Sequence, residues 1–144
     1  MRVYIDGDRH GIDLATKLST YLSQDHDVVI RDELIGIPYP VVAYNLAIKV
    51  IDDDKGSVGI LVCKTGIGMA IVSNKVDGVF AANCHTVQEA IDFRQVNNGN
   101  LLCLGSNRLK LRLALDICEA FLNTSFLESN RHSIELVESL FVRN

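Results

Sequence analysis

One stretch near the middle of the chain constrains the fold more than any other. Residues 58–63 form an apolar run, Val-Gly-Ile-Leu-Val-Cys, which is typical of a strand buried on both faces of a sheet. The run stops at Lys-Thr-Gly-Ile-Gly (64–68), and a helical pattern follows to Lys75. Glycines at such a junction let backbone amides turn toward a ligand and hold an anion or a developing oxyanion. The sequence therefore predicts an anion-binding turn with Cys63 pointing into the same pocket.

The alternation of short apolar strand and helix continues along the whole chain. The predicted strands cover residues 1–5, 27–30, 58–63, 78–82 and 101–104. The predicted helices follow each strand, with Leu14, Leu18, Tyr21 and Leu22 on the apolar face of the first, and two helices close the chain at 109–122 and about 129–142. Such alternation indicates βαβ units and a parallel sheet. We expect one α/β domain over residues 1–144: a three-layer α/β/α sandwich around a five-stranded parallel sheet, flavodoxin- or Rossmann-like, with an extra C-terminal helix.

Four polar residues follow the ends of predicted strands. They are Asp8, Cys63, His85 and Ser106. Because right-handed crossovers place the carboxyl ends of parallel strands at one edge, we expect these residues to share that edge. Ligands bind there, where the strand order reverses.

Composition excludes several classes of function. A net charge of −4 argues against a general nucleic-acid binder, and no apolar run approaches the roughly 20 residues of a membrane span. The first residues enter a strand directly, without the pattern of a signal peptide. The four cysteines form no CxxC pair, which disfavours zinc and a disulfide framework. We expect a cytoplasmic protein without a metal, a nucleic-acid partner or a membrane.

Each candidate residue has a structural alternative. Cys63 is either a buried strand residue or, with Lys64 and a helix N-terminus favouring its thiolate form, a reactive thiol; its place before the glycine turn favours the second interpretation. Asp8 either caps the first helix or binds substrate hydroxyls. Arg9 is either a solvated loop residue or part of an anion pocket, and His85 is either a general acid or an ordinary surface histidine.

The last predicted helix also leaves two possibilities open. Ile134, Val137, Leu140 and Phe141 form an apolar stripe, and Arg131 lies near its beginning. A terminal helix that follows a complete sheet often packs on a neighbouring subunit, so a homodimer is favoured over a helix folded back on its own core. Arg131 either binds a phosphate or is simply exposed.

The chain resembles the ribose-5-phosphate isomerase B and galactose-6-phosphate isomerase family over nearly its whole length. The matching segments are Asp8-x-x-Gly11, Tyr39-Pro40, the block from Gly59 to Met69, Asn74-Lys75-Val76-x-Gly78, Ala81-Ala82-x-Cys84-His85, Arg94-Gln95-x-Asn97, Leu104-Gly105, and Phe121-Leu122-Asn123-Thr124 leading to Arg131-His132. This resemblance implies a flavodoxin-like sandwich that forms a dimer, often a tetramer, with sites at the subunit interface. It also implies isomerisation of an aldose and a ketose phosphate through an enediolate, without a metal or other cofactor.

The resemblance implies a role for each matching residue. Cys63 is the base that moves the proton between C1 and C2. The backbone of Thr65, Gly66, Ile67 and Gly68 holds the enediolate oxygen. By the same resemblance, Asp8 and Asn97 contact sugar hydroxyls with Tyr39 nearby, and Arg131 of the partner subunit binds the phosphate. Arg9, Lys64 and His85 are further candidates for contacts to the substrate.

Five positions depart from the family pattern. Val96 replaces a histidine that helps to open the sugar ring, and Glu135 replaces a second phosphate-binding arginine. Arg9 replaces a histidine, Asn107 stands where an arginine is usual, and Lys64 replaces a glycine. Valine cannot transfer protons, so ring opening needs another group or is not required. The Lys64 amine is a candidate replacement cation.

Three hypotheses follow from these matches and departures. The first is an isomerase acting on a phosphorylated tetrose, pentose or hexose other than ribose 5-phosphate, with a short open-chain substrate making the loss of the histidine harmless. The second is one subunit of a heteromeric isomerase that needs a related second chain. The third is a non-catalytic sugar-phosphate-binding protein. Retention of Cys63 and the Thr-Gly-Ile-Gly turn favours the first two hypotheses over the third.

Overall fold

The computed structural model describes residues 1–31 and 36–141, which fold as a parallel sheet covered by helices on both faces. The strands are β1 (Arg2–Gly7), β2 (Asp27–Ile30), β3 (Ser57–Cys63), β4 (Ala81–Asn83) and β5 (Leu101–Gly105). The helices are α1 (Ile12–Leu22), α2 (Tyr39–Asp52), α3 (Ile67–Ser73), α4 (Val87–Asn97), α5 (Leu111–Asn123) and α6 (Arg131–Leu140), with a 3₁₀ turn at Glu128–Asn130 before α6.

The strands lie in the order β2-β1-β3-β5-β4, and every neighbouring pair is parallel. The predicted three-layer sandwich with five parallel strands is therefore confirmed. The chain moves outward from β1 to β2 and then returns to the other side of β1 to form β3. This reversal opens a crevice beyond the carboxyl ends of β1 and β3. Asp8 and Cys63 stand on its two sides, as expected.

Side chains alternate between two cores because successive residues of a strand point to opposite faces. Val58, Ile60 and Val62 of β3 pack with α1, α4 and α5 on one face. Leu61 and Cys63 pack with α2 and α3 on the other. All six residues from 58 to 63 are buried, as expected for the central strand of a sheet with helices on both faces.

Two details of the sequence prediction are corrected. Tyr21 is 47% exposed, because the buried arc of α1 is centred on Ala15, Leu18 and Leu22 and leaves Tyr21 at its margin. Strand β4 begins at Ala81 instead of residue 78, since Gly78 has a φ of 84° and Val79 donates its amide to Val76 in a turn.

The C-terminal helix begins two residues later than predicted, after the 3₁₀ turn. Ile134 is its buried residue, whereas Leu136, Val137, Leu140 and Phe141 are between 39% and 76% exposed. The predicted end at Val142 lies outside the described residues. Within the described ranges, no helix has the length and apolar character needed to cross a lipid bilayer.

Candidate active site

The turn after β3 places a backbone donor against the Cys63 thiol. Gly66 adopts a left-handed conformation with a φ of 82°, which glycine reaches without steric cost. Its amide donates a hydrogen bond of 3.1 Å to Cys63 Sγ, and Cys63 itself is only 5% exposed. A buried sulfur that accepts an N–H beside a glycine turn is placed to act as a nucleophile or a base at this position.

The next amides of the turn point away from the protein's own acceptors. Ile67 donates its amide to Thr65 Oγ1 at 3.3 Å. The amides of Gly68 and Met69 have no hydrogen-bond acceptor among residues 1–31 and 36–141. The Tyr39 ring lies over Gly68, where an added Cβ would come within 2.5 Å of a ring carbon. Two adjacent free amides beside a thiol, under an aromatic ring, form a cradle for a negatively charged oxygen.

Asp8 lies across the crevice from Cys63. Its amide donates to the Val62 carbonyl at 3.3 Å, which fixes it beside the end of β3. Its Oδ1 accepts the amides of His10 and Gly11 at 2.9 and 3.0 Å, so this oxygen orders the turn that leads into α1. Asp8 Oδ2 has no hydrogen-bond partner in the described part of the chain.

The loop after β5 ties the two sides of the crevice together. Ser106 donates its amide to the Cys63 carbonyl at 2.8 Å and its hydroxyl to the His10 carbonyl at 2.8 Å. Arg9 and Lys64 flank this region with exposed side chains, and Arg9 Nε lies 3.2 Å from His10 Nε2. The crevice thus combines a buried thiol, a carboxylate and free amides with two cationic side chains at its rim.

His85 makes no hydrogen bond to the residues of this crevice in the described chain, and Asn97 lies away from it. His85 follows β4, which is separated from β3 by β5, and its Nδ1 lies 3.6 Å from Glu89 Oε2 at a half-exposed position. Asn97 ends α4, just before the amino end of β5, whereas Cys63 pairs with Gly105 at the carboxyl end of that strand. The length of β5 separates the two residues by roughly 13 Å along the strand direction.

Asn97 instead belongs to a second cluster at the amino edge of the sheet. The carbonyl of Gln95 accepts the Leu127 amide at 3.1 Å and Asn130 Nδ2 at 3.0 Å, which fastens the start of α6 to the end of α4. Arg131 therefore lies at the same edge as Asn97. We call the Cys63 side the thiol half-site and the Asn97–Arg131 side the arginine half-site.

Arg131 is held by neighbours on its own chain. Its Nε and Nη2 donate to the two carboxylate oxygens of Glu128 at 3.1 and 2.9 Å, and its guanidinium lies 4.8 Å from the centre of the Phe126 ring. The bidentate hydrogen bond raises the pKa of Arg131 and lowers the pKa of Glu128. Glu135 and Glu138 add negative charge nearby, so this half-site carries one arginine among three carboxylates.

One residue of the thiol half-site was missed by the sequence prediction. Asn83, the last residue of β4, donates its Nδ2 to the Thr65 carbonyl at 3.0 Å. The sequence did contain a signal for Asn83, because it is a polar residue directly after the predicted strand at 78–82. Asp8 and His85 were selected by the same criterion.

Known proteins are similar to this chain over nearly its full length. A family model described as Ribose/Galactose Isomerase matches residues 3–138. A D-erythrulose-4-phosphate isomerase of Pectobacterium atrosepticum is 40% identical over 130 residues, which cover 88% of this chain and 85% of that protein. A 4-deoxy-4-sulfo-D-erythrose isomerase of a Clostridium species is 33% identical over 133 residues, covering 90% of this chain and 83% of that protein.

A solved structure extends the agreement to three dimensions. Ribose-5-phosphate isomerase B from Mycoplasma genitalium, crystallised with ribulose-5-phosphate, matches this fold with a TM-score of 0.89 at 29% sequence identity. The match covers 96% of this chain and 95% of that one. With a family model spanning residues 3–138 and relatives of 30% identity or more over most of their length, the chain belongs to the ribose/galactose isomerase family.

Proposed function

We propose that this sugar-phosphate isomerase acts on a four-carbon sugar phosphate, interconverting the aldose and the ketose with Cys63 as the base. The observation that carries the proposal is the thiol half-site: a buried sulfur that accepts an N–H, next to two backbone amides without an acceptor in the described chain. Proton transfer through an enediolate needs a base at carbon and donors at the adjacent oxygen, and this turn supplies both.

Each group of the half-site has a place in the proposed reaction. The Cys63 thiolate removes the proton from C2 of the aldose and returns it to C1, while a proton moves from the C2 hydroxyl to the C1 oxygen. The amides of Gly68 and Met69 donate to the oxygen that carries the enediolate charge. Asp8 Oδ2 accepts a substrate hydroxyl, and Tyr39 covers the turn and excludes water.

The four-carbon substrate is supported by Val96. In an aldotetrose 4-phosphate the terminal oxygen carries the phosphate, so no free hydroxyl remains that can close a five- or six-membered ring on C1. Such a substrate stays open-chain and needs no residue for ring opening. Val96 is 46% exposed next to Asn97 and has no proton to transfer, which fits this substrate. Two of the relatives described above are named for four-carbon substrates.

The arginine half-site is proposed to come from a second copy of the chain. Within one chain, Arg131 and Asn97 lie at the opposite sheet edge from Cys63. The exposed apolar residues of α6, among them Leu140 at 70% and Phe141 at 76%, provide a surface for a homodimer or a homotetramer. In that assembly the Arg131 guanidinium binds the phosphate, and Lys64 and Arg9 add positive charge from the thiol side. The four free cysteines suit a reducing cytoplasm.

Proton exchange measured by NMR in deuterated buffer tests the proposal. The wild-type chain, Cys63→Ala and the matched control Cys118→Ala are each given erythrose 4-phosphate, erythrulose 4-phosphate, ribose 5-phosphate and galactose 6-phosphate. Cys118 is a residue of α5 whose thiol lies in the core. We expect deuterium at C1 or C2 of the tetrose phosphates, with a loss of about 1,000-fold or more in Cys63→Ala. The control should keep its rate. Faster exchange with ribose 5-phosphate than with the tetroses would overturn the four-carbon assignment.

A further inference from the structure

We infer that Asn83 is a positioning residue that aims the Gly66 amide at the Cys63 sulfur through a single peptide unit. The inference rests on the proposed role of Cys63, and it assigns a function to a residue that, in the described chain, hydrogen-bonds neither the sulfur nor the free amides of the cradle.

The connection runs through the peptide between Thr65 and Gly66. Asn83 Nδ2 donates to the carbonyl oxygen of this peptide at 3.0 Å, and the amide of the same peptide donates to Cys63 Sγ at 3.1 Å. A trans peptide is planar, with its C=O and N–H pointing in opposite directions. Holding the carbonyl on the Asn83 side therefore fixes the direction of the N–H on the sulfur side.

The surroundings of this peptide leave it little freedom to rotate. Gly105 packs against the Thr65 carbonyl so closely that an added Cβ would lie 2.6 Å from the oxygen. On the other side, a Cβ added to Gly66 would lie 2.4 Å from Asn83 Oδ1. The peptide is thus enclosed by a glycine of β5 and the Asn83 amide.

The orientation of the Asn83 amide follows from its neighbours. Thr65 O is an acceptor, so a flipped amide would set two acceptor oxygens against each other, and only the observed orientation gives a hydrogen bond. In that orientation Asn83 Oδ1 is buried and has no hydrogen-bond partner in the described chain. A buried unpaired acceptor is unfavourable, and its retention at this position is explained by the hydrogen bond that the other end of the amide makes to the turn.

The Thr65 carbonyl also affects the cradle. In a regular continuation of α3 it would accept the Met69 amide four residues later. Because Gly66 is left-handed, α3 begins after it, and the Met69 amide belongs to the first turn, whose donors have no acceptor within the helix. Asn83 holds the peptide that directly precedes this turn, so it also supports the start of the donor array that we propose for the enediolate oxygen.

The test compares Asn83→Leu, which keeps the size of the side chain and removes the donor, with the wild-type chain and Asn74→Leu. Asn74 is the matched control, since its side-chain amide also hydrogen-bonds backbone groups, in this case the N–H and C=O of Ala81 in β4. It makes no hydrogen bond to the turn after β3 in the described chain. The rate of iodoacetamide alkylation of the Cys63 peptide is followed by mass spectrometry as a function of pH. We expect Asn83→Leu to move the midpoint of this rate upward by about one pH unit, because the thiolate loses an aligned donor.

The kinetics should change in parallel. For Asn83→Leu we expect kcat at neutral pH to fall about tenfold with KM within about twofold, and the lost kcat to return as the pH is raised. Asn74→Leu should lower the melting temperature without moving the alkylation midpoint. If Asn83→Leu does not fold, Asn83→Ala removes the same donor without adding bulk.

An unchanged alkylation midpoint in a folded Asn83 variant would overturn the inference, as would an equal shift in Asn74→Leu. The alkylation measurement needs no substrate. If the wild-type chain isomerises none of the offered phosphates, the proposed function fails while the midpoint still decides whether Asn83 acts on Cys63.

Discussion

At the residue scale, the four thiols of the chain lie in two kinds of surroundings. Burial raises the pKa of Cys84 to about 12, and burial also raises the pKa values of Cys103 and Cys118. Cys63 instead receives the Gly66 amide at the mouth of the crevice. The fold therefore keeps three thiols protonated inside the two cores and directs a donor to the fourth.

This difference predicts a loss of stability in alkali. Above about pH 8.5 an unfolded thiol releases its proton, whereas the buried thiol of Cys118 keeps it, so rising pH favours the unfolded chain. The free energy of unfolding, measured by urea titration in a reducing buffer, should fall by about 1 kcal/mol per pH unit on account of Cys118 alone. The control is Cys118→Ala, which should be less stable at neutral pH but should show a smaller slope between pH 9 and 10.5. An identical slope in both chains would contradict the assigned burial effect.

The sequence predicts which residues lie at the crevice where one strand end determines their position. Cys63 ends β3 and Asp8 follows β1, the two strands at the reversal of the sheet, so position along the chain was sufficient. Asn83 also follows a predicted strand, but its hydrogen bond goes to the backbone of Thr65, so its role could not be assigned from the pattern of side chains. The separation of Asn97 from Cys63 was also not predictable from strand ends, because Asn97 lies at the end of a helix.

At the scale of elements, the start of α1 lies directly against the backbone of β3. Gly11 lies against the backbone of β3 at Val62, and an added Cβ would come within 1.8 Å of the Val62 carbonyl oxygen. Neither group can move without displacing a whole element, because Val62 lies in the central strand and Gly11 directly precedes α1. This contact determines how near α1 and Asp8 stand to the thiol half-site.

Gly11→Ala should therefore destabilise the chain by about 3 kcal/mol or more, as expected for overpacking against rigid backbone. The matched control is Gly36→Ala, since an added Cβ at Gly36 has no atom of the described residues within 4 Å, and this substitution should change stability by less than about 1 kcal/mol. Urea unfolding of both variants gives the comparison. Equal stability of the two variants would show that α1 can move away from β3 at little cost.

Element type was predictable from the sequence, whereas element boundaries depended on local backbone geometry. The apolar run at 78–82 contains a turn at Gly78 and Val79, so β4 starts only at Ala81. Its partner β5 is buried along its whole length and begins at Leu101, as predicted. Hydrophobicity alone does not distinguish a strand residue from an apolar residue in a turn.

At the scale of the whole molecule, the two half-sites lie at opposite edges of one sheet. Cys63 ends β3 at the carboxyl edge, and Arg131 follows the 3₁₀ turn that is bonded to the end of α4 at the amino edge. The full length of the strands, and of the helices that pack along them, separates the two edges. The two half-sites of one chain therefore cannot meet unless the chain unfolds. The proposed function therefore requires the thiol half-site of one chain and the arginine half-site of another.

Subunit complementation tests this requirement. Cys63→Ala and Arg131→Ala should each be nearly inactive as pure proteins, because each removes one half of every site. Unfolding the two variants together and refolding them as a mixture should restore about one quarter of wild-type activity, since half of randomly paired dimers are mixed and each mixed dimer has one intact site of two. A chain carrying both substitutions, refolded with either single variant, is the control and should restore nothing. If native mass spectrometry shows mixed dimers and activity stays absent, the two half-sites do not combine across subunits and Arg131 has another role.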